Sequence, residues 1–205
     1  MIKALAFCQP INLGNVCVPP LSGINPILLK ACIKDADSVA TVTSQHNAIL
    51  APAPAATPLT AATTGAATLL SGIRATAGTS THNIYNNTIS FDNALTGVNN
   101  GDAIRGISVA STAVNSSINV AYNTIYLNAS STGANFGTSG VWHAASGVST
   151  TARLDLRNNI ILNLSTPAGT GITSALRRSA GSVYNNYLST SNRNLLYAGT
   201  PGATN

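Results

Sequence analysis

The chain has 205 residues, a formal net charge of +5, and charged residues at only 7% of its positions. So small a charged fraction excludes a helical protein whose exposed faces are built from Glu and Lys. Hydrophobic residues make up 44% of the chain, which excludes ordinary intrinsic disorder. Most other residues are Thr, Ser, Asn and Gly, a composition typical of short strands and tight turns.

The basic residues are spread thinly along the chain, and only Arg177 and Arg178 are adjacent. A nucleic-acid surface concentrates Lys and Arg on one face, so we predict no nucleic-acid partner. No apolar run reaches the roughly 18 residues that a membrane-spanning helix needs, so we predict no membrane span. We expect the chain to be a monomer.

Residues 1–70 differ from the rest of the chain and are predicted to form an irregular N-terminal segment or cap. Asn25 and Pro26 suit the N-cap and first position of a short helix that continues to residue 34. The Ala-, Pro- and Thr-rich stretch 51–65 is typical of an extended linker. It is equally compatible with a poorly formed first coil.

All three cysteines, Cys8, Cys17 and Cys32, fall in this N-terminal segment. Their spacing matches no metal-binding pattern, and an odd number leaves at least one of them unpaired. The apolar stretch after Met1 is too short for the central region of a secretory signal. If the native protein is exported, we expect its signal to lie outside this sequence.

Four segments after residue 70 can be superposed, each with a Gly before Ile or Val and a later Asn before Ile or Leu. Three ladders of equivalent residues keep common spacings of 36, 36 and 27 residues. Self-similarity at such a period indicates stacked repeats. The Gly pairs are Gly72-Ile73, Gly106-Ile107, Gly140-Val141 and Gly171-Ile172; the ladders are Ile84, Val120, Leu156, Val183; Asn87, Asn123, Asn159, Asn186; and Ile89, Ile125, Ile161, Leu188.

Each repeat is predicted to consist of two or three short strands. Apolar and polar residues alternate around each Asn, as at Ile118, Asn119 and Val120, which is the pattern of a strand with one buried face. We expect the ladder Asn to take the left-handed conformation at a bend and its side chain to hydrogen-bond between coils. The Gly before Ile or Val is expected to supply a second corner. The result is a solenoid of parallel sheets.

These coils resemble the right-handed parallel β-helix repeats of the pectin-lyase-like group. Within that group they are most similar to secreted bacterial surface proteins of adhesin-like type, whose coils carry Gly-Ile and Asn-Asn-Thr-Ile motifs. The resemblance covers about residues 70–200. It implies an all-β, right-handed parallel β-helix of about four coils over residues 71–205, which we expect to be a fragment of a longer array. This fold hosts enzymes, adhesins and passive stalks, so the resemblance implies architecture more than activity.

Acidic residues that could support chemistry are few. Asp92 and Asp102 flank the longest predicted loop between coils, where Ca²⁺ binding and simple turn formation are the two interpretations. Lyases of the resembled group use acidic Ca²⁺ ligands with a basic residue, but here Asp155 is the only acid on a predicted strand. Its neighbours Arg153 and Arg157 favour a surface charge pair. We therefore predict no enzyme activity and no cofactor, leaving Ca²⁺ in the 92–102 loop as the alternative.

Two histidines align with apolar positions of other copies. His143 aligns with Val109, and His82 aligns with Ile118. Both are therefore predicted to be core residues rather than metal ligands.

The sequence favours a non-catalytic extracellular or cell-surface module, acting as a stalk or an adhesin-like segment. The alternative is a fragment of a polysaccharide lyase or glycoside hydrolase whose active coils lie outside this chain. The partner we expect is a polysaccharide or cell-surface glycan, bound weakly, because outward aromatic rings can stack on sugars and arginines can face an acidic polymer. Solvent-exposed strand residues without a ligand are the other interpretation. The candidate contact residues are Trp142, Tyr126, Arg153 and Arg157.

Overall fold

A computed structural model of the chain describes residues 31–33, 41–45, 48–51, 70–76, 79 and 81–205. This part of the chain is built of strands, turns and loops, and it contains no helix. In chain order the strands are β1 (Ala31–Ile33), β2 (Thr41–Gln45), β3 (Ala48–Ala51), β4 (Leu70–Ala75), β5 (Thr81–Tyr85), β6 (Thr88–Leu95), β7 (Asn100–Val109), β8 (Ser117–Ala121), β9 (Thr124–Ser131), β10 (Phe136–His143), β11 (Arg153–Arg157), β12 (Ile160–Asn163), β13 (Thr173–Arg178) and β14 (Leu195–Tyr197).

The strands form three sheets, and neighbouring strands within each sheet are parallel. The first sheet has the order β1-β4-β7-β10-β13, the second β11-β8-β5-β2, and the third β14-β12-β9-β6-β3. Successive strands of the chain belong to successive sheets, so β4, β5 and β6 form one coil, β7, β8 and β9 the next, and β10, β11 and β12 the third. The predicted all-β parallel solenoid is confirmed, with about three complete turns from β4 to β12.

Part of the N-terminal segment joins the sheets. β1, β2 and β3 pair with β4, β5 and β6, in the registers Ala31↔Ile73, Val42↔His82 and Ile49↔Ile89. Residues 31–33 are thus a strand where the sequence predicted the end of a helix. These pairings differ from the expectation that residues 1–70 form an irregular segment or cap outside the repeats. Cys8, Cys17 and the stretch 52–65 lie outside the described residues.

Columns of aliphatic side chains fill the interior of the solenoid. Equivalent residues of successive coils face inward in register, and each is nearly inaccessible to solvent. Burying one such side chain contributes roughly 1.5–3 kcal/mol. The ladder spacing of 36 residues predicted for the first three copies is confirmed, as are the buried positions of His82 and His143. The columns include Ile73, Ile107 and Val141; Ile84, Val120 and Leu156; and Ile89, Ile125 and Ile161.

An asparagine ladder runs along the corner between the second and third sheets. Asn87 Nδ2 donates to Asn123 Oδ1 at 2.9 Å, and Asn123 Nδ2 donates to Asn159 Oδ1 at 3.0 Å. Each accepting oxygen also receives the backbone N–H of the Asn one coil before it. The predicted ladder is confirmed over these coils. It satisfies buried amides that would otherwise destabilise the core.

The left-handed residue at this corner is the one that precedes the ladder Asn. The prediction that the ladder Asn itself takes this conformation was wrong. Its side chain points inward and bridges coils, while the residue before it turns the chain. That position does not require Asn, since Tyr and Arg also occupy it. The residues are Asn86 (φ 55°), Tyr122 (φ 56°), Asn158 (φ 54°) and Arg193 (φ 55°).

The repeated glycines do not form the second corner that the sequence predicted. Gly72, Gly106 and Gly140 lie inside β4, β7 and β10, and none of the three has a positive φ. These glycines allow neighbouring parts of the chain to lie very close to their Cα atoms. A Cβ atom on Gly106 would lie 2.5 Å from the carbonyl oxygen of Gly140 and 2.6 Å from Cγ2 of Ile125. The first sheet therefore approaches the third so closely that a methyl group has no space.

The fourth copy of the repeat was predicted in the wrong register. Val141 pairs with Leu176 and not Ile172, and Ile161 pairs with Leu196 and not Leu188. The ladder Asn of this coil is Asn194, whose Oδ1 accepts from Asn159 Nδ2 at 2.9 Å. The reason is geometric, because a coil of the same cross-section needs a similar length of chain, and 27 residues are too few. Asn186, placed in the ladder by the sequence, belongs instead to the chain beside β11, where its carbonyl oxygen accepts from the N–H of Leu154. Val183, placed in another ladder, accepts a hydrogen bond from Arg178.

Candidate ligand-binding face

The four residues predicted to contact carbohydrate lie on three different sheets. Trp142 belongs to β10 of the first sheet, Arg153 and Arg157 to β11 of the second, and Tyr126 to β9 of the third. The structure therefore does not bring them together into one surface. Carbohydrate contact by any one of them stays a prediction.

Two of the three charged side chains of β11 on the second sheet pair with each other. Arg157 Nη2 lies 2.7 Å from Asp155 Oδ2, which agrees with the predicted charge pair. The pair is not a simple surface pair, because the Asp155 side chain is only 7% exposed while that of Arg157 is 48% exposed. Arg153 Nη2 donates to Ser117 Oγ at 3.3 Å.

Asp92 and Asp102 do not flank a long loop, so this part of the prediction was wrong. β6 continues through Leu95 and β7 begins at Asn100, which places the two aspartates in strands of different sheets. Asp92 Oδ1 accepts a hydrogen bond from Asn128 Nδ2 at 3.0 Å. Within the part of the chain that the structure describes, no group of three or more His, Cys, Asp or Glu residues is arranged to hold a metal ion.

The outward side of the first sheet carries a group of charged and aromatic side chains. We call it the arginine–tryptophan cluster; it comprises Arg74, Asp102, Arg105, Trp142 and Arg177. Trp142 is in register with Arg177 on one side and with Ser108 on the other, and Ser108 is in register with Arg74. The guanidinium carbon of Arg105 lies 3.8 Å from the centroid of the Trp142 ring. A cation–π contact of this kind contributes about 0.5–2 kcal/mol, depending on desolvation.

Asp102 holds the Arg105 guanidinium in place. Arg105 Nε and Nη2 donate to Asp102 Oδ2 at 3.0 and 2.6 Å. Arg105 Nη1 donates to Ser108 Oγ at 3.2 Å, and Ser139 Oγ donates to the other Asp102 oxygen at 2.9 Å. Every nitrogen of this guanidinium is thereby engaged, and its plane is fixed against the Trp142 ring.

The cluster has more positive than negative charge, since three arginines face one aspartate. Arg177 Nη1 lies 3.7 Å from Asp102 Oδ1 and donates to the carbonyl oxygen of Gly101 at 3.2 Å, while Arg74 is exposed. Burial lowers the pKa of Arg105, its hydrogen bond to Asp102 raises it, and repulsion from Arg177 and Arg74 lowers it. The three guanidinium groups therefore lie close enough to repel one another, and a group of like charges of this kind attracts anions.

The sequence contained only part of the information that locates this cluster. The alignment of Gly72-Ile73 with Gly140-Val141 also aligns Arg74 with Trp142, and this register is confirmed. Arg177 was considered as a contact to an acidic polymer, but it was not placed beside Trp142, because the fourth copy was aligned in the wrong register. Arg105 was missed because its equivalents in neighbouring coils, Ser71 and Ser139, carry no charge.

A second polar cluster lies inside the last coil, where Arg178 continues the column of Val109 and His143. His143 is fully buried; its Nε2 lies 2.8 Å from the carbonyl oxygen of Ala152, and its Nδ1 lies 3.1 Å from Arg178 Nη1. This geometry requires a neutral imidazole that donates from Nε2 and accepts at Nδ1. Burial lowers the pKa of His143 to about 4, the contact with Ala152 opposes this, and Arg178 lowers it further.

Arg178 is held by the irregular chain that follows β13. Its Nη2 donates to Asn186 Oδ1 at 2.8 Å and to the carbonyl oxygen of Val183 at 2.7 Å. Its guanidinium carbon lies 5.8 Å from the ring centroid of Tyr184 and 5.5 Å from that of Tyr187. This cluster is built into the end of the solenoid, so we assign it a structural role.

Comparisons of the chain with protein-family models, with curated proteins and with solved structures find no significant match in any of the three. The architecture and the side-chain geometry therefore carry the functional argument. Among the described residues, there is no helix with the length and apolarity of a membrane span.

Proposed function

We propose that the chain is a non-catalytic, extracellular structural module, a stalk or adhesin-like segment of the pectin-lyase-like, right-handed β-helix type. In this role the chain acts as a rigid spacer outside the cell and binds glycan weakly. The observation that carries this proposal is the unbroken asparagine ladder, from Asn87 through Asn123 and Asn159 to Asn194. Coils linked by side-chain hydrogen bonds, backbone pairing and continuous apolar columns make a stiff repeat structure.

The arrangement of the acidic residues supports a non-catalytic role. The described acidic side chains belong to three different sheets, and each has a structural partner: Asp92 with Asn128, Asp102 with Arg105, and Asp155 with Arg157. Glycoside hydrolysis by paired carboxylates needs two acidic groups within about 5–10 Å of each other on one face. A single carboxylate per face, each committed to a hydrogen bond or ion pair, favours architecture over chemistry.

The test is an assay for cleavage. The protein is incubated with pectate, alginate and cellulose in millimolar Ca²⁺, and unsaturated products and reducing ends are measured. We expect no products from any of the three polymers. Turnover that disappears in Asp155→Ala would contradict the proposal and favour the alternative, a polysaccharide-degrading enzyme.

The extracellular assignment has its own test. An antibody against the purified chain, applied to intact and to permeabilised cells of the source organism, should stain both equally. Staining that needs permeabilisation would overturn this part of the proposal. The cleavage assay would be unaffected by that outcome.

A further inference from the structure

The arginine–tryptophan cluster differs from the outward side of the second sheet in the size of its cation surplus, since it has three arginines for one aspartate and the second sheet has two. On the second sheet Arg157 is paired with Asp155, and Arg153 is bonded to Ser117. In the cluster, one aspartate is shared by Arg105 and Arg177, and Arg74 is exposed beside them. A fixed core with the exposed Arg74 on one side and the partly exposed Arg177 on the other is the arrangement of a binding surface for anions.

We propose that this face binds an acidic polysaccharide, a sugar polymer that carries carboxylates or sulfates. Arg74 and Arg177 would each bind one acidic group of the polymer. Arg105, which Asp102 and Trp142 hold in place, adds a positive charge between Arg74 and Arg177. The inference deepens the weak glycan contact of the proposed function and rests on it only in that the polymer is held and not cleaved.

The spacing of the arginines is the reason to choose a polysaccharide over a nucleic acid. Arg74 and Arg177 are three strands apart in the first sheet, which corresponds to roughly 14 Å at about 4.8 Å per strand. Double-stranded DNA presents one negative charge per roughly 1.7 Å of its axis, far denser than the cations of this face. A polymer with one acidic group on every sugar or every second sugar matches the sparse row better. One face of the Trp142 ring is covered by Arg105, so that face is not available to stack on a base.

The experiment is retention of the protein on immobilised polymers at low salt. The probes are alginate for carboxylates, chondroitin sulfate for sulfates, dextran as the neutral polymer and single-stranded DNA as the competing polyanion. We expect retention on alginate, on chondroitin sulfate or on both, and none on dextran. The two acidic columns distinguish the acidic group that the face prefers. Retention should fall at high salt, because exposed ion pairs are screened.

The deciding variant is the double substitution Arg74→Gln and Arg177→Gln, which removes the two flanking cations and leaves Arg105 and Asp102 intact. We expect its affinity for the acidic polymer to fall about tenfold, the effect of losing two charge contacts at the protein surface. The matched control is Arg193→Gln, since Arg193 is exposed at the corner between the second and third sheets, away from the cluster. The control should bind within about twofold of the original chain.

Several outcomes would overturn the proposal. They are equal retention of the double variant and the original chain, an equal loss in Arg193→Gln, retention on dextran, and tighter binding to single-stranded DNA than to either acidic polysaccharide. Circular dichroism of each variant shows whether the fold is intact, and an unfolded double variant is replaced by Arg74→Gln alone. Cleavage products are a separate readout, so failure of this proposal is distinguishable from failure of the non-catalytic role.

Discussion

The second complete coil and the last coil, which contains β13 and β14, share the first and third sheets but are stabilised in different ways. In the coil of β7, β8 and β9, the inward positions hold Ile107, Val120 and Ile125, all 0% exposed. In the last coil, the position equivalent to Ile125 is Leu196, which is 46% exposed. The column that contains Val109 continues as His143 and Arg178. Hydrophobic burial dominates the middle of the solenoid and decreases towards its last coil.

Hydrogen bonds replace part of the lost burial near the last coil. Thr138, in register with Ile104, donates from Oγ1 to Asn163 Oδ1 at 3.0 Å. Asn163 Nδ2 donates to the carbonyl oxygen of Ser174 at 2.9 Å, and Thr173 Oγ1 donates to that of Ser165 at 2.9 Å. A net hydrogen bond stabilises by about 1 kcal/mol, less than a buried Ile. The comparison shows that the coil path is set by backbone pairing and corners, while the core can change from apolar to polar along the axis.

The largest expected effect comes from placing a charge in the apolar column. Ile125→Asp should destabilise the fold by at least about 4 kcal/mol, because an unpaired carboxylate would be buried. Leu196→Asp makes the same change in the last coil, where we expect less than about 1 kcal/mol because solvent reaches that side chain. Thermal and urea unfolding followed by circular dichroism measure both. Equal losses in the two variants would contradict the difference between the coils.

A methyl group at the close approach of the sheets gives the second test. Gly106→Ala should destabilise by about 3 kcal/mol, because its Cβ would overlap the Gly140 carbonyl oxygen and Ile125. In the last coil the equivalent position already holds Ala175, so the chain there has adjusted to a methyl. The control is Gly147→Ala, which places the new atom where nothing lies within 4 Å. If Gly106→Ala and Gly147→Ala melt alike, the packing of the first sheet on the third is not as described.

The polar column makes the last coil sensitive to acid. The pKa of His143 is about 4 in the folded chain and about 6.5 when unfolded, so the unfolded state binds a proton more readily as the pH falls between these values. The contribution of this group to the free energy of unfolding is therefore fully present above about pH 6.5. It decreases as the pH falls from 6.5 through 4, and the loss reaches about 2–3 kcal/mol by pH 4.5. Unfolding free energies measured from about pH 7.5 to 4.5 check this.

The control for the acid effect is His143→Gln, whose amide can donate to the Ala152 carbonyl and accept from Arg178 without titrating. This variant should lose less stability over the same pH range than the original chain. All other ionisable groups are the same in the two chains, so the difference between the two isolates His143. Parallel pH profiles would show that His143 does not carry the effect.

The smallest expected effect separates the middle of the asparagine ladder from its end. Asn123→Ala should cost about 2 kcal/mol, because it removes the hydrogen bonds that the Asn123 side chain makes with the carbonyl oxygen of Ile84 and with the side chains of Asn87 and Asn159. Asn194→Ala, at the half-buried end of the ladder, should cost about 0.5–1 kcal/mol. The midpoints of urea unfolding compare the two. A larger loss of stability in Asn194→Ala than in Asn123→Ala would contradict the greater contribution predicted for the middle of the ladder.

The sequence predicted the first three coils well because parallel pairing imposes one register on each column. Ile84, Val120 and Leu156 repeat at the spacing that the backbone then realises. The fourth coil was mispredicted because Asn185-Asn186-Tyr187-Leu188 imitates the repeat motif, whereas the ladder continues through Asn194 in a segment that lacks it. Asn186 instead bonds to Arg178.

The candidate site was harder to predict than the fold. Its outward side chains do not repeat from coil to coil, so alignment gives no signal for Arg105. Stacking of Arg105 on Trp142 depends on side-chain direction, which spacing alone does not determine. The helix predicted to reach residue 34 failed at 31–33 because pairing with β4 outweighed a local capping pattern.

Disulfide formation tests the register of the last coil most directly, in a background where Cys8, Cys17 and Cys32 are serine. Ile160 and Leu195 are register partners on neighbouring parallel strands, and both are exposed. The double variant Ile160→Cys, Leu195→Cys should therefore form a disulfide readily under mild oxidation, since the Cα separation of such partners, about 4.8 Å, lies in the permitted range. The pair Ile160→Cys, Tyr187→Cys, which the 27-residue spacing would bring into register, should stay reduced. Oxidation of the second pair and not the first would contradict the last coil described here.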